Sequence, residues 1–495
     1  MISIDELAVF CKKKGFVYPS SDIYGGIAGF WDFGPLGVEL LNNIRAGWWK
    51  YFVQSREDIV GMDGSIISNP KIWKASGHLE SFQDIVLTCS KCKTKLRADH
   101  FIDEKLDINV EGMSILDLNK IIKKNNLKCP KCSSNLKELK GFNLLFKTHV
   151  GAEEDSASAA YLRGETAQGM FTDFRLIAET SRQKLPFGIA QIGKCFRNEI
   201  SPRDFLFRSR EFTIAELEFF VHPKQKKCPY LIKKCRDIKL FFLDAEAQEN
   251  GKKAYKEKTI GGLLKEKRLD EWHAYWLAEQ ILWFRTLGLD MKKLKIREHT
   301  KNELSHYSSA TFDIDFEYPF GSKEVAGIAN RGIYDLTQHM KESGKSMELY
   351  DEETKSKIIP RAIEPTFGME RVFLAVLVDA YNDDKKRGNI VLKLNPKLAP
   401  IAVGVFPLVN KLDGKSREIF DILKTDFSCT FDRGGSIGRR YARADEQGIP
   451  FCVTIDFDTL EDNAVTIRDR DTTKQIRVKI DELEKTITKL IHGIK

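Results

Sequence analysis

The chain has 495 residues, 42% hydrophobic and 30% charged. This is a globular composition, long enough for about three domains of roughly 150 residues, and it excludes a disordered or fibrous chain. No apolar run approaches the roughly 18–20 residues that cross a bilayer; residues 372–378 and 401–409 are the longest candidates, and no membrane partner is expected. The 79 Lys/Arg and 71 Asp/Glu leave a net charge of +8, a mild excess that is a weak pointer to a polyanionic partner.

Ser3 followed three residues later by Glu6 reads as a capping box opening a short helix. Two acidic residues this early, Asp5 and Glu6, do not suit a signal peptide, so a cytoplasmic chain is expected. Gly34-Pro35-Leu36-Gly37 opens a long helix over 38–54, with Leu40, Leu41, Ile44, Trp48 and Phe52 at helical spacing. A short strand holding Ile66 and Ile67 ends at Pro70. Residues 86–148 read as an insertion between two cysteine pairs, in which Ser114 caps a helix with Ile115, Leu118, Ile121 and Ile122 on one face.

Residues 187–200 and 211–222 alternate as the strands of an antiparallel hairpin, whose connection begins Ser201-Pro202-Arg203-Asp204. From 224 to 268, fourteen Lys/Arg stand against six Asp/Glu, the whole formal excess of the chain. That stretch is either a solvated helical surface or a nucleic-acid-facing insertion. A helix over 272–287 follows, then strands over 311–318 and 324–329 joined by a turn at Gly321-Ser322, then a helix over 369–381.

A boundary falls near Asn395-Pro396-Lys397. It divides a unit over 1–397, with insertions at 86–148 and 224–305, from a unit over 398–495. In the second unit strands over 401–406, 429–432, 451–456 and 464–468 alternate with helices over 416–425, 437–446 and 481–491, an α/β pattern.

Of the ten cysteines, Cys89-x-x-Cys92 and Cys129-x-x-Cys132 form two tight pairs and six are scattered. Thiolates at i and i+3 reach one ion, and two such knuckles complete a tetrahedral four-sulfur zinc site of the closed, structural type. The 36 residues between the knuckles exceed the usual ribbon spacing of about 15–20; two unrelated reduced pairs are the alternative.

Period-two alternation puts Gln191, Arg197 and Glu199 on one face of the hairpin and Phe212, Ile214 and Glu216 on a face of its second strand. Such a face is a poor core and a good floor for a nucleotide and an amine. Arg binds phosphate oxygens bidentately, Glu accepts from an exocyclic amino group, and Phe stacks on a purine.

Phe196-Arg197-Asn198-Glu199 followed by Arg208-Ser209-Arg210-Glu211-Phe212 resembles motif 2 of the class II aminoacyl-tRNA synthetases. Gly368-Met369-Glu370-Arg371 resembles motif 3, and the 38–54 helix with the strand ending at Pro70 resembles the dimer-forming motif 1. Ser76-Gly77-His78, Arg97 to His100, Glu165 to Gly169, Phe212 to Glu216, Ala329-Asn330-Arg331 and Ile363-Glu364-Pro365 are similar to segments of the homodimeric glycyl-tRNA synthetases. Residues 437–443, 453–458 and 468–470 are similar to that family's anticodon-binding domain.

The resemblance implies an α+β fold: an antiparallel-sheet catalytic domain with a zinc-type insertion, followed by an α/β anticodon-binding domain. It implies activation of glycine by ATP with Mg²⁺ and transfer to tRNA(Gly) by a homodimer with a structural zinc. In that scheme Arg197 holds the α-phosphate, Glu199 the adenine amino group, and Phe212 and Arg371 the faces of the base. Arg208 and Arg210 meet the outer phosphates, and Glu324 is linked to Mg²⁺. Asn198, Phe207, Ser209, Glu211, Val325, Gly368, Met369 and Glu370 complete the nucleotide site.

Glu165, Glu216 and Glu364 surround the glycine ammonium, and Arg331 and Arg97 hold its carboxylate or the adenylate. Thr213, Ile214, Ala215, Pro365 and Thr366 complete the glycine site with Phe212, and filling the space beyond Cα would reject alanine by overpacking, at roughly 1–3 kcal/mol. Two positions depart from the family pattern: Thr366 stands for Ser, and Gly164 stands for Pro before Glu165. The three-glutamate set argues against a threonine, proline, serine or histidine enzyme. The presence of Arg197, Glu199, Phe212 and Arg371 argues against an inactive accessory protein. Arg439, Arg440 and Arg443 are expected either at RNA or in ion pairs with Asp456 or Asp458.

Overall fold

A computed structural model describes residues 2–494 apart from 109, 111, 112, 138, 156, 252, 253 and 353. The Ser3 hydroxyl accepts from the Glu6 N–H (3.2 Å) and the Glu6 carboxylate accepts from the Ser3 N–H (3.0 Å), closing the capping box of helix α1 (Ile4–Lys14). Helix α2 (Pro35–Trp49) starts earlier than residue 38, because Pro35 has no N–H to satisfy and fits the first turn. It runs on as a π turn over Lys50–Gln54. Pro70 does not simply end a strand: the strand is only Ile67–Ser68, and Pro70 opens a helix, Pro70–Ala75, capped by Asn69.

Nine strands build the main sheet: β1 (Ile59–Gly61), β2 (Phe187–Phe196), β3 (Glu211–Val221), β4 (Lys239–Leu243), β5 (Lys256–Thr259), β6 (Leu294–Glu298), β7 (Ala310–Tyr318), β8 (Gly321–Gly332) and β9 (Arg361–Gly368). Their order is β5-β4-β6-β7-β8-β9-β3-β2-β1, antiparallel except for β1 with β2 and β4 with β6. Two expectations change here. Tyr318 pairs with Gly321, so the β7–β8 turn is Pro319-Phe320 and not Gly321-Ser322. The basic stretch is not a helical surface throughout: β4 and β5 extend the sheet, with Leu240, Phe242 and Leu243 buried. Its Lys252 and Lys253 lie outside the described residues.

The alternation of β3 and β9 divides the sheet into two chemically different faces. Leu217, Phe219, Val221, Ile363 and Phe367 point to the back. There they meet α2 and two further helices, with Trp48, Phe52, Trp272, Trp276 and Trp283 in one cluster. Full burial of one such side chain contributes about 1.5–3 kcal/mol, so the back face can support a front face that is polar. On the front, α3 (Ala167–Thr180) covers one end, packing Phe171 and Phe174 on Phe187 and Phe220. The two back helices are α4 (Glu271–Thr286) and α6 (Met369–Ala380), and α5 (Tyr334–Ser343) packs on α3.

Residues Gln83–Thr88, Lys95–Arg97 and Lys140–Asn143 form a three-stranded sheet that carries helices Ala98–Leu106 and Ile115–Lys124 around Leu87, Phe101, Ile102, Leu118 and Ile122. Ser114 caps the second helix by accepting from the Asp117 N–H.

The C-terminal sheet runs β11 (Cys429–Phe431), β10 (Val403–Pro407), β12 (Phe451–Ile455), β13 (Ala464–Asp469) and β14 (Gln475–Lys479). The first three are parallel and the last two antiparallel. It has its own core, with Val403, Ile419, Val453, Ile467, Leu483 and Ile487. Strand β14 was not expected from the sequence; it is an exposed edge with one buried side chain, Val478. No helix among the described residues is long and apolar enough to cross a membrane.

Candidate active site

The antiparallel register pairs Gln191 with Glu216 and Cys195 with Phe212, and β9 brings Thr366 beside Glu216 and Gly368 beside Ile214. Two sites therefore sit end to end on the front face of β2, β3 and β9.

The first is a cavity of about 610 Å³ lined by Arg197, Glu199, Leu206, Phe207, Arg208, Ser209, Phe212, Ile214, Glu324, Thr366, Gly368, Glu370 and Arg371. Arg197 donates from Nε to the Gly164 carbonyl (3.1 Å) and lies between the rings of Phe82 (5.1 Å) and Phe212 (5.3 Å). The Gly164 backbone is thus pinned even without the family's proline. Arg371 stacks on Phe207 (4.5 Å) and donates to the Glu324 carboxylate (2.8 Å). Glu199 buries Oε2 with no hydrogen-bond partner among the described residues, an acceptor left for a ligand.

Several expected residues stand elsewhere. Arg210 does not line the cavity: it is tied to the Glu199 carbonyl (3.0 Å) and the Ala28 carbonyl (2.8 Å). Glu211 pairs with Lys194 (3.2 Å), and the Asn198 N–H is used by the Leu144 carbonyl (2.8 Å). Val325 and Met369 belong to the back core, as does Ala215. Arg208 reaches His100 (3.1 Å) from the cavity wall. Arg97 pairs with Asp84 (3.3 Å) and Asp99 (2.8 Å). Burial pushes Asp84 up to about 6, against the pull of Arg97, and Glu199 adds to the rise.

The second site lies about 7 Å further along the strands, one same-face residue on. Five carboxyl side chains, Glu165, Glu216, Glu218, Asp335 and Glu364, gather around Arg331. Arg331 is enclosed, pairs with Asp335 (2.8 Å), Glu364 (2.9 Å) and Glu165 (3.5 Å), and lies over Tyr307 at 3.9 Å. It therefore offsets part of the cluster's charge, and its donors are taken up by protein carboxylates.

Glu216 accepts from the N–H groups of Thr166 (2.7 Å) and Ala167 (2.9 Å) at the start of α3, and from the Thr166 hydroxyl. It is an acidic cap on a helix N-terminus. Burial drives the Glu216 carboxyl upward, with Glu165 adding to it. Burial likewise carries Glu364 to about 8 against the pull of Arg331, and Glu218 well above its ordinary value, with Glu364 adding to the rise. For Glu165 burial is more than reversed by His78 and Arg331, which hold it low and ionised.

Thr213 donates its N–H to Glu370 (2.7 Å), Pro365 is buried beside Ile328, and Thr366 borders the first cavity. The sequence pattern passed over Glu218 and Asp335, and gave no role to Gln168 and His78 within the segments it singled out. Their signals were present: Glu218 follows Glu216 by two on one strand face, Asp335 follows Arg331 by four, and Gln168 follows Glu165 by three.

The four cysteines come together. Cys89 and Cys132 sulfurs are 3.4 Å apart, those of Cys92 and Cys129 3.6 Å, and all four lie within 4.8 Å of one another. Zn–S bonds of about 2.3 Å in a tetrahedron require sulfurs about 3.8 Å apart, so the set fits zinc. The Thr94 hydroxyl and N–H bring Cys92 down to about 6, toward the thiolate a metal needs.

The C-terminal residues match a family described as "Anticodon binding domain" over 402–490, and residues 147–247 match "tRNA synthetase class II core domain (G, H, P, S and T)". The chain is 45% identical to the glycine–tRNA ligase of Caldanaerobacter subterraneus subsp. tengcongensis, covering 98% of this chain and 97% of that one. It is 44% identical to that of Clostridium tetani, over 99% and 98%. The chain belongs to the glycine–tRNA ligase family.

The relative from Geobacillus thermodenitrificans, 42% identical over 99% of this chain, carries the same family name. A prolyl-tRNA synthetase from Cryptosporidium parvum superposes with a TM-score of 0.59 at 16% identity, covering 98% of this chain and 76% of that one, which shows the shared fold. The fold is thus a class II synthetase core followed by an anticodon-binding domain.

In this glycine–tRNA ligase family member, two of the three basic residues of the 437–447 helix are used internally. Arg440 is buried and donates to the carbonyls of Pro407 and Leu408, and Arg443 pairs with Asp432 (3.0 Å) rather than with Asp456 or Asp458. Only Arg439 of the three is exposed.

Proposed function

We propose that the chain activates glycine with ATP, releasing pyrophosphate, and transfers the glycyl group to the 3′ end of tRNA(Gly). The observation that carries this reading is the acidic cluster next to a cavity lined by Arg197, Glu199, Phe212 and Arg371 on one sheet face, in a chain so similar to glycine–tRNA ligases. Five carboxyls around one guanidinium leave an excess of negative charge that an ammonium relieves, and a substrate without a side chain offers little else to hold.

Arg197 meets the α-phosphate with its free edge, its Nε being already fixed by Gly164. Glu199 accepts from the adenine amino group through its unpartnered oxygen, while Phe212 and Arg371 flank the base and Arg208 meets the outer phosphates. Glu324, partly exposed at the cavity rim, is the carboxylate that would hold Mg²⁺ with those phosphates. In-line attack of the glycine carboxylate on the α-phosphate then depends on alignment and charge neutralisation. Glu165, Glu216 and Glu364 hold the ammonium, with Glu218 beside them and Arg331 setting their charge balance.

Residues 1–397 act as the catalytic unit, 398–495 as the anticodon reader, and the 86–148 insertion is held by a structural zinc on Cys89, Cys92, Cys129 and Cys132. We place the enzyme in the cytoplasm as a homodimer joined through α2. Amino-acid-dependent ATP–pyrophosphate exchange with each of the twenty amino acids tests the reading. Exchange with glycine alone is expected; exchange with another amino acid, or with none, refutes it.

A further inference from the structure

The Ser76-Gly77-His78 turn has no role in the scheme above, yet it reaches the acidic cluster. His78 is buried, and its Nε2 lies 3.2 Å from Glu165 Oε2. Its Nδ1 lies 2.8 Å from the hydroxyl of Ser76, which is fully buried. The other Glu165 oxygen accepts from Gln168 Nε2 (3.0 Å). Gln168 is in turn fixed by Asp335 (2.9 Å) and by His339 (2.8 Å).

The turn is built for this arrangement. Gly77 has φ +80°, which a side chain rarely adopts, and a Cβ there would stand 2.8 Å from the His306 ring. That ring bonds the Ser76 carbonyl (2.8 Å), and Asn143 donates to the carbonyls of His78 (2.9 Å) and Leu79 (3.0 Å). The backbone on both sides of the turn is therefore clamped.

We infer that Ser76 and His78 are positioning residues for glycine recognition: the serine fixes the imidazole, and the imidazole Nε2–H holds the Glu165 carboxylate toward the ammonium and away from full pairing with Arg331. The inference rests on the reading that Glu165 binds the glycine ammonium. A carboxylate held at both oxygens keeps lone pairs aimed at a fixed point. Released from His78, Glu165 is free to turn onto Arg331, now 3.5 Å away, and close the position the ammonium needs. The loss then falls on glycine and not on ATP, whose cavity is not lined by Ser76, His78 or Glu165.

The test is a double-mutant cycle in glycine-dependent ATP–pyrophosphate exchange. His78→Leu should raise KM for glycine at least tenfold with KM for ATP within twofold of the parent. His78→Gln, which keeps an N–H donor, should recover most of the loss, and Ser76→Ala should show a smaller rise of the same kind. In a Glu165→Gln background His78→Leu should add less than twofold.

An unchanged KM for glycine in His78→Leu, a parallel rise in KM for ATP, or full additivity with Glu165→Gln overturns the inference. If Glu165→Gln itself leaves KM for glycine unchanged, the ammonium reading fails and this inference with it; if only Glu165→Gln has an effect, this inference alone fails. Should His78→Leu not fold, Ser76→Ala with Glu165→Gln runs the same cycle, and additivity there overturns it.

Discussion

Replacing Arg331 by Met tests the charge balance of the acidic cluster. The substitution keeps an unbranched chain under Tyr307 and removes the guanidinium that pairs with Glu165, Glu364 and Asp335. Breaking a buried pair by removing one partner costs about 3–5 kcal/mol, because a charge is left uncompensated. The structure gives a second route to the number. Glu364 already tends to hold a proton near pH 7, being carried up to about 8 by burial. The new penalty therefore falls on Glu165, which His78 and Arg331 keep ionised, and on Asp335, which loses a two-point partner.

Without Arg331, Glu165 can escape by taking a proton, and at pH 7 that is roughly 2.5 pH units above its ordinary value, about 3.4 kcal/mol. At pH 5 the same escape costs about 0.7 kcal/mol. The sign is set by linkage: the variant raises the folded-state pKa of Glu165 above the unfolded one, so the folded variant binds more protons and loses stability as pH rises from about 4.5. Urea unfolding followed by tryptophan fluorescence is a suitable assay, since Trp48, Trp73, Trp272, Trp276 and Trp283 are fully buried. The variant should be about 3–4 kcal/mol less stable at pH 7 and about 1 kcal/mol less stable at pH 5. A deficit below about 1 kcal/mol at pH 7, or one that does not change with pH, refutes the account.

Glu199→Ala should raise KM for ATP about tenfold to a hundredfold, the worth of about 1.5–3 kcal/mol for a hydrogen bond to a charged group, and leave KM for glycine nearly unchanged; equal effects on both constants would place Glu199 outside the adenine site. Elemental analysis should find one zinc per chain, lost in Cys92→Ser, and chelation should expose the insertion around Leu87, Phe101 and Leu118 to proteolysis while the main sheet stays folded. Arg440→Ala should destabilise the C-terminal unit by roughly 1–3 kcal/mol, because it strips the Pro407 and Leu408 carbonyls of a buried donor. A weakened tRNA interaction with unchanged stability would instead return Arg440 to the RNA surface.

What the sequence made legible, and what it did not, follows from the range of the interactions involved. The hairpin of β2 and β3 was readable because period-two alternation is local, and it places Gln191, Phe212, Ile214 and Glu216 on one face; β2 ends at Phe196 and not at residue 200, so Arg197 and Glu199 lie past the strand, Arg197 held by the Gly164 carbonyl. The cysteine knuckles were readable because thiols at i and i+3 constrain each other. Arg331 was legible as a candidate but not in its orientation, since that depends on Asp335 four residues on and on Glu165 far off in sequence. Motif spacing put Arg210 at the outer phosphates and gives no account of Ala28, whose carbonyl accepts from it here. The basic stretch hides a strand in the same way: Leu240-Phe241-Phe242-Leu243 is an apolar run too short to stand out from a lysine-rich composition, and its pairing with β6 shows that it belongs to the sheet.

The arrangement also accounts for how a site can be tight for the smallest amino acid. Side-chain contacts are unavailable, so discrimination has to come from charge and from occupied space. Burying five carboxyls beside one guanidinium is unfavourable in the free protein, and the cost appears as the upward push of burial on Glu364, to about 8, and on Glu218. An ammonium entering the cluster supplies the missing positive charge, and a proton in excess can then leave. The net attraction for the ammonium is therefore smaller than the bare charges suggest, because binding must displace protons that already neutralise part of the cluster. Glu165 escapes this limit, being kept ionised by His78 and Arg331 before glycine arrives. On the proposed reading, the carboxylate that His78 and Arg331 hold ionised is thus the one able to attract the ammonium at full charge, which makes its supports as important to recognition as the carboxylate itself.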